Sequence, residues 1–350
     1  MSKIKVLVVD DSALVREILS RGLAKDPRIE VVGTASDPYM ARDKIIQLKP
    51  DVLTLDVEMP RMDGVEFLRR LMPQYPLPVV MVSALTRKGA ATTLAALEAG
   101  AVEVVAKPGV DISRGLNAML GELREKVRIA ASVNVSAWKK NQRTALKPVK
   151  IDSHSLAEST DKVIAIGAST GGTQAIRRIV QSFPATMPGV VVVQHMPAGF
   201  TRHFAESLDS VSRMEVREAK TGDRIMPGRV LIAPGGLHMK VKRSGGIYQV
   251  ECQKGENVNG HCPSVEVLFQ SVAKYAGANA IGIMLTGMGG DGAEGMLAMR
   301  RAGARTLAQD EATSVVFGMP KVAYQLGAAE NLVPLSDIPH RIMKLLSVKS

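Results

Sequence analysis

Short apolar runs alternate with longer, one-sided apolar patterns along the first third of the chain. Residues 6–9 read Val-Leu-Val-Val and are stopped by Asp10 and Asp11. Residues 13–25 then place Leu14, Ile18, Leu19 and Leu23 at helical spacing. The same alternation predicts strands over 30–35, 52–55, 79–82 and 102–106. It predicts helices over 39–48, 65–72, 92–99 and about 112–129. Lys49-Pro50 closes the helix over 39–48, Pro73 stops the one over 65–72, and Gly100 closes the one over 92–99. Five strands, each followed by a helix, require a parallel sheet covered on both faces.

The rhythm breaks near residue 131. Residues 132–159 are polar, rich in Ser and Lys, and hold Pro148. Lys139, Lys140, Arg143, Lys147 and Lys150 make this stretch basic, and a solvated linker over 131–160 accounts for it. After Lys162 the alternation returns. Strands are predicted over 163–166, 190–193, 229–233, 281–285 and 306–308. Helices are predicted over 174–182, 200–208, 265–275, 293–302, 322–326 and 338–346. Residues 239–241 and 247–251 flank Gly245-Gly246, a hairpin signal. The expected organisation is two α/β domains, 1–130 and 161–350, with no short internal repeat. The 350-residue length agrees, at roughly 150 residues per domain.

Composition narrows the classes. Hydrophobic residues make up 46% and charged residues 23%, which excludes wholesale disorder, collagen and coiled coil. Aromatics are only 3%, too few for a stacking platform for single-stranded nucleic acid. No apolar run reaches the ~18 residues of a membrane helix, and the opening run is too short for a signal peptide. The chain is expected to be cytoplasmic, without membrane insertion. Two cysteines fit that expectation, since a secreted disulfide scaffold carries more. The net charge of +11 suits an anionic partner but does not say which, and the basic residues form no run of five.

Ligands of α/β sheets bind at the carboxyl ends of strands. In the first domain those ends carry Asp10-Asp11, Asp56, Ser83 and Lys107-Pro108. Three carboxylates converging on one pocket need a counter-charge, and Mg²⁺, which prefers oxygen ligands, supplies it. A carboxylate beside Mg²⁺ and an ammonium suits covalent capture of a phosphoryl group.

In this pattern residues 3–130 resemble the response-regulator receiver family, as does Asp56-Val-Glu-Met-Pro-Arg-Met-Asp-Gly64. The resemblance implies that Asp56 is the phospho-acceptor. It implies Mg²⁺ bound by Asp11, Asp56 and the Glu58 carbonyl directly, and by Asp10 through water, with Ser83 and Lys107 touching the phosphoryl oxygens. Receivers often carry an aromatic switch residue three positions before the lysine, and here that position is Val104. The aromatic switch is therefore not expected in its usual form.

In the second domain the predicted strand over 163–166 runs into Gly167-Ala-Ser169-Thr-Gly171-Gly172 and then a helix. Gly167-x-Ser169-x-Gly171 fits a nucleophile elbow, whose small neighbours permit a tight turn that exposes the hydroxyl. Glycines before a helix fit a phosphate- or dinucleotide-binding loop as well, and the short motif does not choose. Of six histidines, His195 alone directly follows a predicted sheet strand, on the edge that carries Ser169. His154 falls in the linker, and His203 and His340 read as surface residues. Asp291 lies in the Gly-rich loop Thr286-Gly-Met-Gly-Gly-Asp291-Gly292 after the strand over 281–285, where it could orient the histidine. The order Ser, His, Asp differs from the Ser, Asp, His order of α/β-hydrolases, so a triad here sits on another fold. Cys252, His261 and Cys262 lack paired zinc spacing and are expected to be structural.

At Gly167–Gly172, Gln194-His195-Met196-Pro197, Ile232-Ala-Pro-Gly-Gly-Leu-His238 and Leu285–Gly292, the second domain resembles the chemotaxis protein-glutamate methylesterase family, CheB. The resemblance implies a doubly wound α/β catalytic domain behind a flavodoxin-like receiver of five parallel strands. It implies Ser169 as nucleophile, His195 as base, Asp291 as its orienter, and Thr170 and Met288 as oxyanion donors. The implied activity is phosphorylation-activated hydrolysis of glutamate methyl esters on chemoreceptors, with deamidation of glutamines, and no cofactor for the esterase reaction. The implied partners are methylated chemoreceptors and a chemotaxis histidine kinase as phosphodonor, not nucleic acid. Two rivals are kept. One is a DNA-binding output, which suits the charge but lacks a helix-turn-helix after the linker; the other is a nucleotide-binding output at Gly167–Gly172.

Overall fold

A computed structural model describes residues 2–84, 87–107, 112–133 and 162–347. The chain divides into two compact units between Trp138 and Lys139. Most of the stretch read as a linker, residues 134–160, lies outside the described residues.

The first unit is a five-stranded parallel sheet in the order β2-β1-β3-β4-β5. Its strands are β1 (Ile4–Val9), β2 (Ile29–Ala35), β3 (Val52–Asp56), β4 (Val79–Ala84) and β5 (Glu103–Lys107). Its helices are α1 (Ala13–Leu23), α2 (Pro38–Leu48), α3 (Gly64–Gln74), α4 (Arg87–Ala99) and α5 (Ile112–Ala131). Ser12, Asp37 and Asp63 cap α1, α2 and α3 by accepting from backbone N–H groups in the first turn. Leu19 and Leu23 of α1 and Leu123 and Val127 of α5 pack on Val6, Val8, Val80 and Val105. Pro73 does not stop α3. It sits in the last turn, which Tyr75 completes by donating to the Leu71 carbonyl at 2.7 Å. A proline this close to the end removes one bond of the ladder without ending the helix.

The second unit holds a seven-stranded sheet, again parallel, in the order β14-β13-β12-β6-β7-β9-β8. Its three central strands are β6 (Val163–Ala168), β7 (Gly189–Gln194) and β12 (Ala280–Met284), buried at every position. Such continuous apolar runs mark strands covered on both faces. The flanking strands are β8 (Glu215–Glu218), β9 (Arg229–Ile232), β13 (Arg305–Gln309) and β14 (Asn331–Val333). Helices α6 (Gly172–Ser182), α7 (Phe200–Asp209), α8 (Val265–Tyr275), α9 (Ala293–Arg301), α10 (Met319–Gln325) and α11 (Ile338–Ser347) complete the unit. The hairpin expected around Gly245-Gly246 is present as β10 (His238–Ser244) and β11 (Ile247–Gln253). The patterning gave no hint of β8 or β14.

Both sheets reverse their winding beside a central strand. In the first, β2 and β3 lie on opposite sides of β1. In the second, β7 and β12 lie on opposite sides of β6. The crevice outside the strand ends at such a point is where α/β sheets bind ligands, and both sets of expected site residues lie there.

Candidate active site and phospho-acceptor pocket

In the first unit, Asp10 and Asp11 follow β1 and Asp56 ends β3. One carboxylate oxygen from each lies within 4.8 Å of the others. Lys107 reaches in from the end of β5, with Nζ 2.9 Å from Asp10 Oδ2 and 3.0 Å from Asp56 Oδ1. Asp10 and Asp56 are buried and Asp11 is exposed. Burial pushes the Asp56 carboxyl up to about 6 against the pull of Lys107, and the Asp10 charge adds to the rise. Burial works against the Lys107 charge too, but its bonds to Asp10 and Asp56 raise it above the usual lysine value. Three carboxylates against one ammonium leave net negative charge in a space of oxygen ligands, the chemistry that a hard divalent cation fits. Ser83 is buried at the end of β4, Glu58 is exposed just past β3, and the Val104 side chain is buried in β5.

In the second unit, Ala168 and Gln194 are the last paired residues of β6 and β7, so Ser169 and His195 leave the sheet side by side. The His195 N–H donates to the Ala168 carbonyl at 3.1 Å. The Gln194 side chain ties the two turns together. Its Nε2 donates to the carbonyls of Ser169 at 2.9 Å and His195 at 3.2 Å. The turn after Ser169 needs Gly171, which has a φ of 77° and would place a Cβ 2.6 Å from Val315 Cβ. The loop after β12 closes the other side. Thr286 accepts the Ser169 N–H at 3.0 Å and donates from Oγ1 to the Thr170 carbonyl at 2.9 Å.

Asp291 lies in that loop, 3% exposed. His195 Nε2 meets its Oδ2 at 2.8 Å. Ser264 Oγ and Asn259 Nδ2 each donate to Oδ1 at 2.8 Å, and the Val265 N–H donates to Oδ2 at 2.7 Å. Val265 is the first residue of α8, so the carboxylate also faces the positive end of a helix. Burial alone would raise this carboxyl; the bonds from His195, Asn259 and Ser264 outweigh it and hold it at about 2. An ionised Asp291 fixes the proton of His195 on Nε2. That leaves Nδ1, buried and without a hydrogen-bond partner, as an acceptor.

The three expected catalytic residues therefore converge on one crevice. Of the two expected oxyanion residues, Thr170 is buried in the turn after Ser169. Met288 exposes its side chain in the loop before Asp291, and its N–H donates to no group among the described residues. His261, expected to be a structural residue, lies against this site. Its ring stacks on that of His195, with centroids 3.7 Å apart and planes 13° apart. Asn259, Ser264 and Gln194 were likewise given no role from sequence. The local signal for Asn259 and His261 was the turn dipeptide Asn259-Gly260; nothing local says that the turn folds over His195.

Among the described residues no helix is long and apolar enough to cross a membrane. The family profile described as CheB methylesterase matches residues 164–342, and the response regulator receiver domain profile matches residues 6–119. The protein-glutamate methylesterase/protein-glutamine glutaminase of Syntrophotalea carbinolica is 70% identical, over 99% of this chain and 98% of its own. The protein of the same name from Sulfurimonas denitrificans is 55% identical, over 98% and 99%. The crystal structure of the Thermotoga maritima CheB methylesterase catalytic domain is 38% identical. It covers 53% of this chain and 98% of its own, with a TM-score of 0.52.

Proposed function

The chain belongs to the CheB methylesterase family, with a response-regulator receiver ahead of the catalytic domain; on that premise we propose that Ser169, His195 and Asp291 form a catalytic triad under the control of Asp56. The reaction is hydrolysis of glutamate methyl esters on chemoreceptors, with deamidation of receptor glutamines as a second acyl transfer. The observation that carries the reading is the His195–Asp291 bond through Nε2, which leaves Nδ1 unpartnered beside the Ser169 turn.

In the first half-reaction Ser169 Oγ attacks the ester carbonyl carbon and its proton passes to His195 Nδ1. The imidazolium forms against Asp291, which stays ionised and keeps Nε2 as donor. Backbone N–H groups at Thr170 and Met288 receive the oxyanion. Collapse breaks the bond to methoxide, which leaves as methanol with the proton from Nδ1. Water then attacks the acyl-serine with His195 again as base, releasing the glutamate carboxylate and restoring Ser169. A glutamine follows the same course with ammonia as leaving group.

The receiver spans 1–130, the linker 131–160 and the catalytic domain 161–350. Asp56 accepts the phosphoryl group from a chemotaxis histidine kinase. Asp11, Asp56 and the Glu58 carbonyl would hold Mg²⁺, with Asp10 acting through water, and the ion would supply charge neutralisation for phosphoryl transfer. Ser83 and Lys107 engage the transferred oxygens. The protein acts in the cytoplasm, on the cytoplasmic part of receptors. The test is methanol release from methylated receptor membranes, with and without a small-molecule phosphodonor. Release that depends on Ser169 and rises with donor supports the reading; release unchanged in Ser169→Ala overturns it.

A further inference from the structure

His195 is held by one polar bond, Nε2 to Asp291, and its other nitrogen has no partner. Beyond its Cβ–Cγ bond the ring has a single polar tether, so it can still tilt and move Nδ1 relative to the Ser169 turn. Something must restrain the ring face. The residue against that face is His261, nearly parallel at 3.7 Å.

The placement of His261 follows from a miniature hairpin. Val258 and His261 exchange both backbone hydrogen bonds, each at 3.0 Å. The two residues between them, Asn259 and Gly260, have φ values of 53° and 84°. Positive φ at both corners defines the tight turn that Asn-Gly favours. The first corner residue reaches inward, with Asn259 Nδ2 on Asp291 Oδ1 at 2.8 Å. One four-residue turn therefore touches both Asp291 and His195. A few residues on, Ser264 and Val265 bind the same carboxylate.

We infer that the Val258–His261 turn is a positioning device for the base: Asn259 anchors it to Asp291, and His261 covers the imidazole face so that Nδ1 stays aimed at Ser169. His261 takes no proton and touches no substrate in this role; its flat ring is what matters. The inference rests on the triad reading. It adds that the His195–Asp291 bond alone does not hold the productive geometry. Misplacing a reacting group by about 1 Å costs on the order of 100-fold in rate, and that sets the scale of the effect.

The experiment compares His261→Ala, His261→Leu and His261→Phe in the full-length protein, with methylated receptor membranes as substrate. Leu fills space without a flat ring, so it stands in for Ala if Ala lowers the melting temperature. Expected for Ala and Leu is a fall in kcat of about 10- to 100-fold with KM within about twofold. Phe should return kcat to within about threefold of the parent. Proton NMR supplies a readout independent of turnover. The His195 Nε2–H, held by Asp291, should give a downfield signal that broadens in Ala and Leu and sharpens in Phe. Ala and Leu variants with parental kcat and a sharp signal overturn the inference, as does a folded Phe variant no faster than Leu. Failure of the triad itself looks different: Ser169→Ala or His195→Ala would then keep turning over.

Discussion

His195 meets Asp291 through Nε2, the ring nitrogen farther from its own backbone. In serine proteases of the chymotrypsin kind the contacts are reversed, with Nδ1 on the aspartate and Nε2 on the serine. Strand order explains the difference. The sequence across the sheet is β12-β6-β7. His195 follows β7, Ser169 follows the adjacent β6, and Asp291 follows β12 one strand farther away. The far nitrogen spans to the loop after the far strand, and Nδ1 is left without a hydrogen-bond partner.

Replacing Ser169 with alanine should abolish methanol release while leaving the fold intact. The loss expected on removing a triad nucleophile is about 10³- to 10⁶-fold. Turnover per mole of purified protein, with circular dichroism as the folding control, checks it. Near-normal turnover would remove Ser169 from the mechanism.

Asp291 makes acid stability a test of the site. Its folded value of about 2 lies below the ordinary 3.8, so the charged form is favoured by folding. Its contribution is complete above about pH 4 and is lost as the pH falls toward 2. The difference corresponds to about 2 kcal/mol. Asp291→Asn should therefore destabilise the second unit at pH 5, with the gap to the parent closing as the pH drops to 2. Calorimetry across that range measures it; a gap constant with pH would contradict the assignment.

Chelation should separate the two units. Removing divalent metal should abolish phosphorylation by a small-molecule donor and leave the basal esterase rate unchanged, because the proposed triad and its backbone oxyanion donors call on no metal. Asp56→Asn should stay at the basal rate whatever donor is added. A donor response that survives either treatment would place the control elsewhere.

Gly171→Ala should lower stability by about 1–3 kcal/mol, the cost of holding a side chain at positive φ. The new Cβ would also press on Val315. The same strain bends the turn that presents Ser169, so kcat should fall along with the melting temperature. A variant as stable and as fast as the parent would show that the turn tolerates another path.

The alternation of β-strand and helix was readable because the central strands are buried at every position and the covering helices carry one-sided stripes. Ser169, His195 and Asp291 were readable for a related reason: each immediately follows a buried strand or sits in its Gly-rich exit. Strand β8 was not, since of Glu215–Glu218 only Val216 is buried, and an edge strand with one apolar position has no period. Strand β14 is three residues long, too short for alternation to register. His261 was dismissed because spacing speaks only to neighbours in sequence, and its partner His195 lies 66 positions away. Its role depends on where a turn of known type comes to rest, which is a tertiary fact.

A single carboxylate joins the start of α8 to the imidazole of His195. Asp291 is therefore a poor place for a quiet loss-of-function change. A random mutagenesis screen that selects for inactive protein still present at normal abundance should collect substitutions at Ser169 and leave Asp291 nearly empty. Lesions at Asp291 should be recovered instead among proteins the cell degrades.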